Sequence, residues 1–134
     1  FAVEKRNPFL KALEYLLISN GNQLEVTQLA QASGISRPTA VKYLEVFEYT
    51  KAISLVRPFS SNSMKEIVSQ PKIYAFDTGL CCFAQGIREL RNEDYGKYLE
   101  NLTLEALQAQ GFWRHIYYWR PGSCHRMQME RESF

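Results

Sequence analysis

Apolar positions recur at helical spacing through the first third of the chain. Phe9, Leu10, Leu13, Leu16 and Leu17 stand at offsets 0, 1, 4, 7 and 8, one face of a 3.6-residue helix. Pro8 suits its first turn, where a missing N–H costs nothing. Gly21, between Asn20 and Asn22, supplies a stop. A second, shorter helix is predicted from about residue 26 to 32, stopped by Gly34. A third is predicted to start near Ser36, a good N-cap, with Pro38 in its first turn. Its inner row would be Ala40, Val41, Leu44, Phe47 and Glu48, with Glu48 near enough to the end to reach solvent.

The pattern changes after Ala52. Ile53, Leu55 and Arg57 alternate with Ser54 and Val56 until Pro58 interrupts, a polar cluster occupies Ser60 to Ser63, and Lys72-Ile-Tyr-Ala-Phe76 has strand composition. Two strands around a polar loop predict a hairpin. After Asp77-Thr-Gly-Leu80 and a stretch read as loop-rich, Leu99, Leu102, Thr103, Ala106 and Leu107 share a helical face that Gly111 ends. His115 to Trp119 reads as a strand. Residues 121 to 134 carry no clear period.

Three helices followed by a hairpin is the order of a winged helix. A helix-turn-helix needs a small residue where its helices cross, which Ala30 provides. It also needs a turn residue free to take positive φ, which Gly34 provides. Leu29, Ile35, Val41 and Leu44 would hold both helices to the first. The expected fold class is α+β, with a winged helix-turn-helix domain over residues 1–77 and a smaller α/β segment over 78–134.

Composition bounds the rest. The chain has 134 residues, 46% hydrophobic and 22% charged, a folded balance, and the length permits one ordinary domain or one very small domain with an appendage. Sixteen basic against fourteen acidic residues give a net charge of +2, too mild to demand or exclude nucleic acid. No run of about 18 apolar residues exists to span a membrane. Three cysteines, two of them adjacent at Cys81 and Cys82, fit a reducing, cytoplasmic setting better than a disulfide framework. No secretory leader is visible, and a start at Phe1 points to a piece of something longer.

In a helix-turn-helix, the third helix enters the major groove with its N-terminal residues nearest the bases. Ser36 and Arg37 would sit at that exposed end, and Thr39, Lys42 and Val46 would turn away from the apolar face. Arg37 and Lys42 suit a phosphate or a guanine edge, and Thr39 a phosphate or a thymine methyl. Asn62 and Lys65 in the hairpin loop would reach an adjacent backbone. Glu45 flanks the same surface and repels phosphate. The rival reading is a protein-docking or dimerisation module.

A series of strings adds a resemblance. Gly34-Ile-Ser-Arg-Pro-Thr-Ala-Val41, Pro58-Phe…Asn62, Gln70-Pro-Lys-Ile-Tyr-Ala-Phe-Asp-Thr-Gly-Leu80, Tyr95-Gly-Lys-Tyr-Leu-Glu-Asn101 and Tyr117-Tyr-Trp-Arg120 occur in order. Together they resemble the C-terminal region of prokaryotic AAA+-type ATPases, where a winged helix precedes a domain similar to a degraded PD-(D/E)XK nuclease. The resemblance implies an ATPase domain N-terminal to Phe1, using ATP and Mg²⁺, and a partial nuclease-like segment in which Glu100 is the vestigial helical acid. It also makes the parent ATPase domain, or another subunit, a candidate partner beside DNA or a second copy.

The chain itself departs from both activities. It carries no G-x-x-x-x-G-K-[ST] phosphate loop. No Asp follows residue 94, and Pro-Gly-Ser-Cys-His-Arg follows Arg120 where the nuclease-like family expects a Glu-x-Asp strand. Glu105 is five residues from Glu100 and about 140° around the helix, so it does not complete a metal pair. The expectation is a non-enzymatic segment with no metal or cofactor of its own. Asp77 is read as a cap on the following turn rather than a catalytic acid. Cys124-His125 with Cys81-Cys82 lacks zinc-ligand spacing. Tyr117, Tyr118 and Trp119 offer rings for stacking nucleic-acid bases, but as a contiguous strand they are expected to split between core and partner surface.

Overall fold

The computed structural model describes residues 7–59, 70–111, 113–119 and 126–131. Three helices come first: α1 (Pro8–Ile18), α2 (Val26–Ser33) and α3 (Arg37–Tyr49). The hairpin strands β1 (Ile53–Pro58) and β2 (Lys72–Ala75) follow, then α4 (Thr78–Ala84), α5 (Tyr95–Ala109), β3 (Trp113–Trp119) and β4 (Arg126–Arg131). The molecule is α+β, and its first five elements make the winged-helix arrangement the periodicity predicts.

The helix ends are set locally. Asn7 Oδ1 accepts from Phe9 N at 3.0 Å, and Ser36 Oγ accepts from Thr39 N at 3.3 Å, so both N-caps are side-chain caps. Helices α2 and α3 close with the same Schellman pattern. Ile35 N donates to Ala30 O and Gly34 N to Gln31 O, while Ala52 N donates to Phe47 O and Lys51 N to Glu48 O. The left-handed position is Gly34 (φ 69°) in the first case and Lys51 (φ 61°) in the second.

The first core lies among α1, α2, α3 and the hairpin, where Ala12, Leu16, Leu29, Ala40, Leu44, Phe47, Ile53 and Ile73 are buried together. Three expected core positions are exposed instead. Leu10 is 57% exposed, Val41 lies on the outer side of α3, and Glu48 is exposed. On α1 and α3 the rows centred on Leu16 and Leu44 take the inner place, so residues at the rim of each apolar arc meet water.

A short extended segment between α1 and α2, which the hydrophobic pattern does not predict, completes the winged-helix sheet. Gly21 N donates to Ile73 O at 2.7 Å, Ile73 N to Asn22 O at 3.0 Å and Leu24 N to Pro71 O at 2.8 Å. Strand β2 thus has a backbone neighbour on each side, since β1 pairs with it antiparallel from Ile53↔Ala75 to Val56↔Lys72. Beyond Val56, β1 changes partner and runs parallel to β3 at Arg57↔Tyr117 and Pro58↔Tyr118. Pro58 has no N–H to give, and Phe59 N makes the bond to Tyr118 O at 2.8 Å. The antiparallel partner of β3 is β4, in the tail that carries no visible period, and the strand order is β2-β1-β3-β4.

Two further apolar clusters take residues from both sides of residue 77. Leu17 and Ala75 pack with Cys81 and Tyr98, and Val56 and Tyr74 pack with Leu104 and Tyr118. Helix α4 occupies ground read as loop, capped by Asp77 Oδ1 accepting from Leu80 N at 2.8 Å, as the sequence predicts for Asp77. The orientation of α5 reverses the expectation. Leu99 and Leu102 are 59% and 50% exposed, with Thr103 and Ala106 also outward, while Tyr98, Asn101 and Leu104 face in. The reason is polar. Asn101 Nδ2 donates to Ala75 O at 3.1 Å and Asn20 Oδ1 accepts from Ala75 N at 2.8 Å. The two amides stand in for a neighbouring strand where the segment beside β2 ends.

Candidate nucleic-acid interface

The turn before α3 points the N-terminal end of that helix outward. Ser36, Arg37 and Lys42 are exposed and Thr39 is half-buried. Among the described residues neither Arg37 nor Lys42 is in an ion pair. The two hydroxyls are engaged locally. Ser36 Oγ and Thr39 Oγ1 lie 2.8 Å apart, and Ser36 also caps Thr39 N. Pro38 has no N–H, and Ala40 N is bonded to Ser36 O, so the first turn presents side-chain charge rather than a cradle of amides. The positive end of the helix dipole adds to that charge.

Asn62 and Lys65, the expected hairpin-loop contacts, lie outside the described residues. Cys124 and His125 do as well.

Beside the tip, α3 and β1 enclose an open groove of about 660 Å³. From α3 it is lined by Arg37, Val41, Glu45 and Glu48, one helical row, and from β1 by Leu55 and Arg57. Glu25 and Val26 close it at the start of α2. Although Glu48 is exposed as a residue, partial desolvation of its carboxyl against the groove pushes it above its ordinary value, opposed by Arg57, Lys51 and a hydrogen bond from Leu55 N–H, and reinforced by nearby Glu45. The exposed length of α3 is therefore polarised, with Arg37 and Lys42 in its first half and Glu45 and Glu48 in its second. Sequence reasoning finds Glu45 but places Glu48 inside, and it misses Glu25 and Arg57. An outward Arg57 on an alternating strand is the available signal.

Glu100 lines no part of this groove and sits in a polar cluster between α5 and the sheet. Its Oε2 accepts from Lys72 Nζ at 3.0 Å and from Tyr74 OH at 2.7 Å. Lys72 Nζ also lies 5.5 Å from the centre of the Tyr118 ring. Tyr118 OH donates to Gln70 O and accepts from Gln23 Nε2, each at 3.3 Å. Burial first, and then the bond to Glu100, pushes the Tyr74 phenol far above its usual range. A buried ammonium on the carboxylate occupies the place a cation would take, so these residues do not fit a nuclease metal site. Among the described residues no group of three or more His, Cys, Asp or Glu is placed to hold a metal.

The remaining candidates have structural surroundings. Cys81 is buried and Cys82 half-buried, both as free thiols. Burial, with lesser contributions from Cys82 and Asp77, raises the Cys81 thiol to about 11. His115 is exposed with its ring 6.2 Å from that of Tyr117. Tyr118 is buried and Trp119 is 41% exposed, the division predicted for that strand. No described helix is long and apolar enough to cross a membrane.

Comparison with known proteins gives a family and a scale. Residues 1–91 match the profile of a domain of unknown function, DUF8612. Two curated relatives, the uncharacterized proteins Rv2008c of Mycobacterium tuberculosis and Mb2031c of Mycobacterium bovis, are each 30% identical over 105 residues, 75% of this chain and 24% of the relative. The chain thus spans about a quarter of the length of the curated relatives it matches. Among solved structures, a mutant of S. aureus MepR bound to an oligodeoxyribonucleotide aligns with a TM-score of 0.43 at 18% identity, over 81% of this chain and 82% of that one.

Proposed function

The chain belongs to the DUF8612 family, and from that premise we propose that it is a non-catalytic DNA-binding module whose α3 tip meets the phosphate backbone. The observation that carries this reading is the pair Arg37 and Lys42. Both are exposed on the first half of the second helix of a helix-turn-helix, with no acidic partner among the described residues. Cations left unpaired at the N-terminal end of such a helix suit an anionic surface. Ser36 and Thr39 serve chiefly to hold the tip, through their shared cap.

We place the module in a prokaryotic AAA+-type ATPase, where the parent's nucleotide domain would bring ATP and Mg²⁺ and control DNA engagement. The ordered strings quoted above support this, as does the greater length of the relatives. Helix α5 and strand β3, within residues 78–134, are then what is left of a nuclease-like α/β unit. Glu100 is the vestige of its acid, turned to structural use by Lys72 and Tyr74.

The test is a salt titration of binding to duplex DNA, followed by fluorescence anisotropy. Arg37→Ala and Lys42→Ala are each expected to weaken binding and to lower the magnitude of the log K against log [salt] slope by about 1. Unchanged affinity and slope in both variants would remove the DNA reading. A second reading, docking on the parent or on another copy, is favoured by the apolar stripe of Tyr95, Leu99 and Leu102 outside α5. It is left standing if the wild-type chain binds no DNA.

A further inference from the structure

The groove between α3 and β1 is at odds with the tip beside it. A winged helix that gripped DNA along its whole recognition helix would bring phosphates down the row formed by Arg37, Val41, Glu45 and Glu48. Only the first of those positions is cationic. Glu45 and Glu48 line the groove one turn apart, Glu25 faces them from the start of α2, and Arg57 is the one cation contributed by β1. Glu25 Oε1 already accepts from Gln70 Nε2 at 3.1 Å, which fixes it at the groove's end.

Resting on the DNA-binding reading, we infer that Glu45 and Glu48 are negative determinants: carboxylates that hold DNA off the groove and confine backbone contact to the α3 tip. Two carboxylates one turn apart on one wall of a groove repel a phosphate more strongly than the same charges spread over open surface. They also repel each other. Arg57 and Lys51 offset Glu48 only in part. DNA would then dock end-on to the helix, over few phosphates, with modest affinity and a shallow salt dependence. A module of that kind suits control by its parent, because bringing several copies together multiplies weak contacts.

The experiment compares three forms of the chain on one duplex at low salt: wild type, Glu45→Gln/Glu48→Gln, and Glu89→Gln/Glu93→Gln. The last pair lies on the exposed loop between α4 and α5, lines no part of the groove and changes net charge equally. Gln at position 48 still offers an oxygen to Leu55 N–H, so the groove variant keeps its local hydrogen bond. The groove variant is expected to bind about tenfold more tightly than wild type, the control about twofold or less, and the gain should shrink as salt rises. Equal gains in both variants would show a net-charge effect and overturn the inference while leaving DNA binding intact. No gain in either, with a wild type that binds, does the same. Absence of binding in all three forms overturns the DNA reading and this inference with it.

Discussion

Gly21 shows how narrowly one residue can be fixed. Its φ is +80°, a region that L side chains rarely adopt, and a Cβ placed there would lie 2.8 Å from Lys97 Cβ. That neighbour is the root of a side chain on α5, not a flexible end, so relief requires moving backbone. The same peptide gives its N–H to Ile73 O at 2.7 Å. Gly21→Ala therefore meets strained dihedrals and a clash together, and is expected to lower unfolding free energy by about 2 kcal/mol or more in urea. An unchanged urea midpoint would show that α5 does not press on this turn. Local pattern identifies Gly21 correctly as a helix stop. The reason it must be glycine lies 76 residues away and has no local signature.

At the scale of elements, chain-local chemistry is legible and long-range polar pairing is not. The caps at Ser36 and Asp77 and the stop at Gly34 follow from neighbours within a few residues, the hairpin of β1 and β2 follows from two strand-like runs around a polar cluster, and all four stand in the structure. The facing of α5 depends instead on Asn101 reaching Ala75, and the role of Glu100 on Lys72 and Tyr74, contacts 26 to 28 positions apart. Hydrophobic spacing sees leucines and cannot see an amide that completes a sheet edge. Strand β4 escapes notice because two methionines are too short an alternation to register. Glu100 gives a test at this scale. Lys72 has a side chain only 10% exposed, and Glu100, at 32%, is its one ion-pair partner among the described residues. Glu100→Gln leaves that ammonium buried without a counter-charge and should cost about 2 kcal/mol, a value reduced because water reaches the carboxylate. Adding Lys72→Met, which removes the stranded charge, should recover most of the loss. If the double variant is no more stable than the single, the ion pair is not what ties α5 to the sheet.

For the whole molecule, the question is whether the winged helix stands alone. Its first core is built from α1, α2, α3 and the hairpin, but the outer surfaces of that unit are finished by later residues. Gln85 Nε2 donates to Leu17 O and Ile18 O, each at 3.2 Å, closing the C-terminal end of α1. Gln85 Oε1 in turn accepts from Lys97 Nζ at 3.1 Å and Tyr98 OH at 3.2 Å. Asn101 completes Ala75, and Leu104 and Tyr118 cover Val56 and Tyr74. A chain ending at residue 77 loses all of these and bares Leu17, Val56 and Tyr74, in a unit of a size where stability is already marginal. Ending at Arg91, the limit of the family match, restores Cys81 and Gln85 but leaves Ala75 O and the Tyr74 face open. Thermal unfolding should therefore rank the three lengths in order, with the whole chain highest, the form ending at 91 intermediate, and the form ending at 77 without a cooperative transition. A form ending at 77 that melts sharply within about 5 °C of the whole chain would mean that α4, α5 and β3 rest on a winged helix that does not need them. The predicted ranking would instead make α5 part of what holds the hairpin, and with it the winged helix, in place.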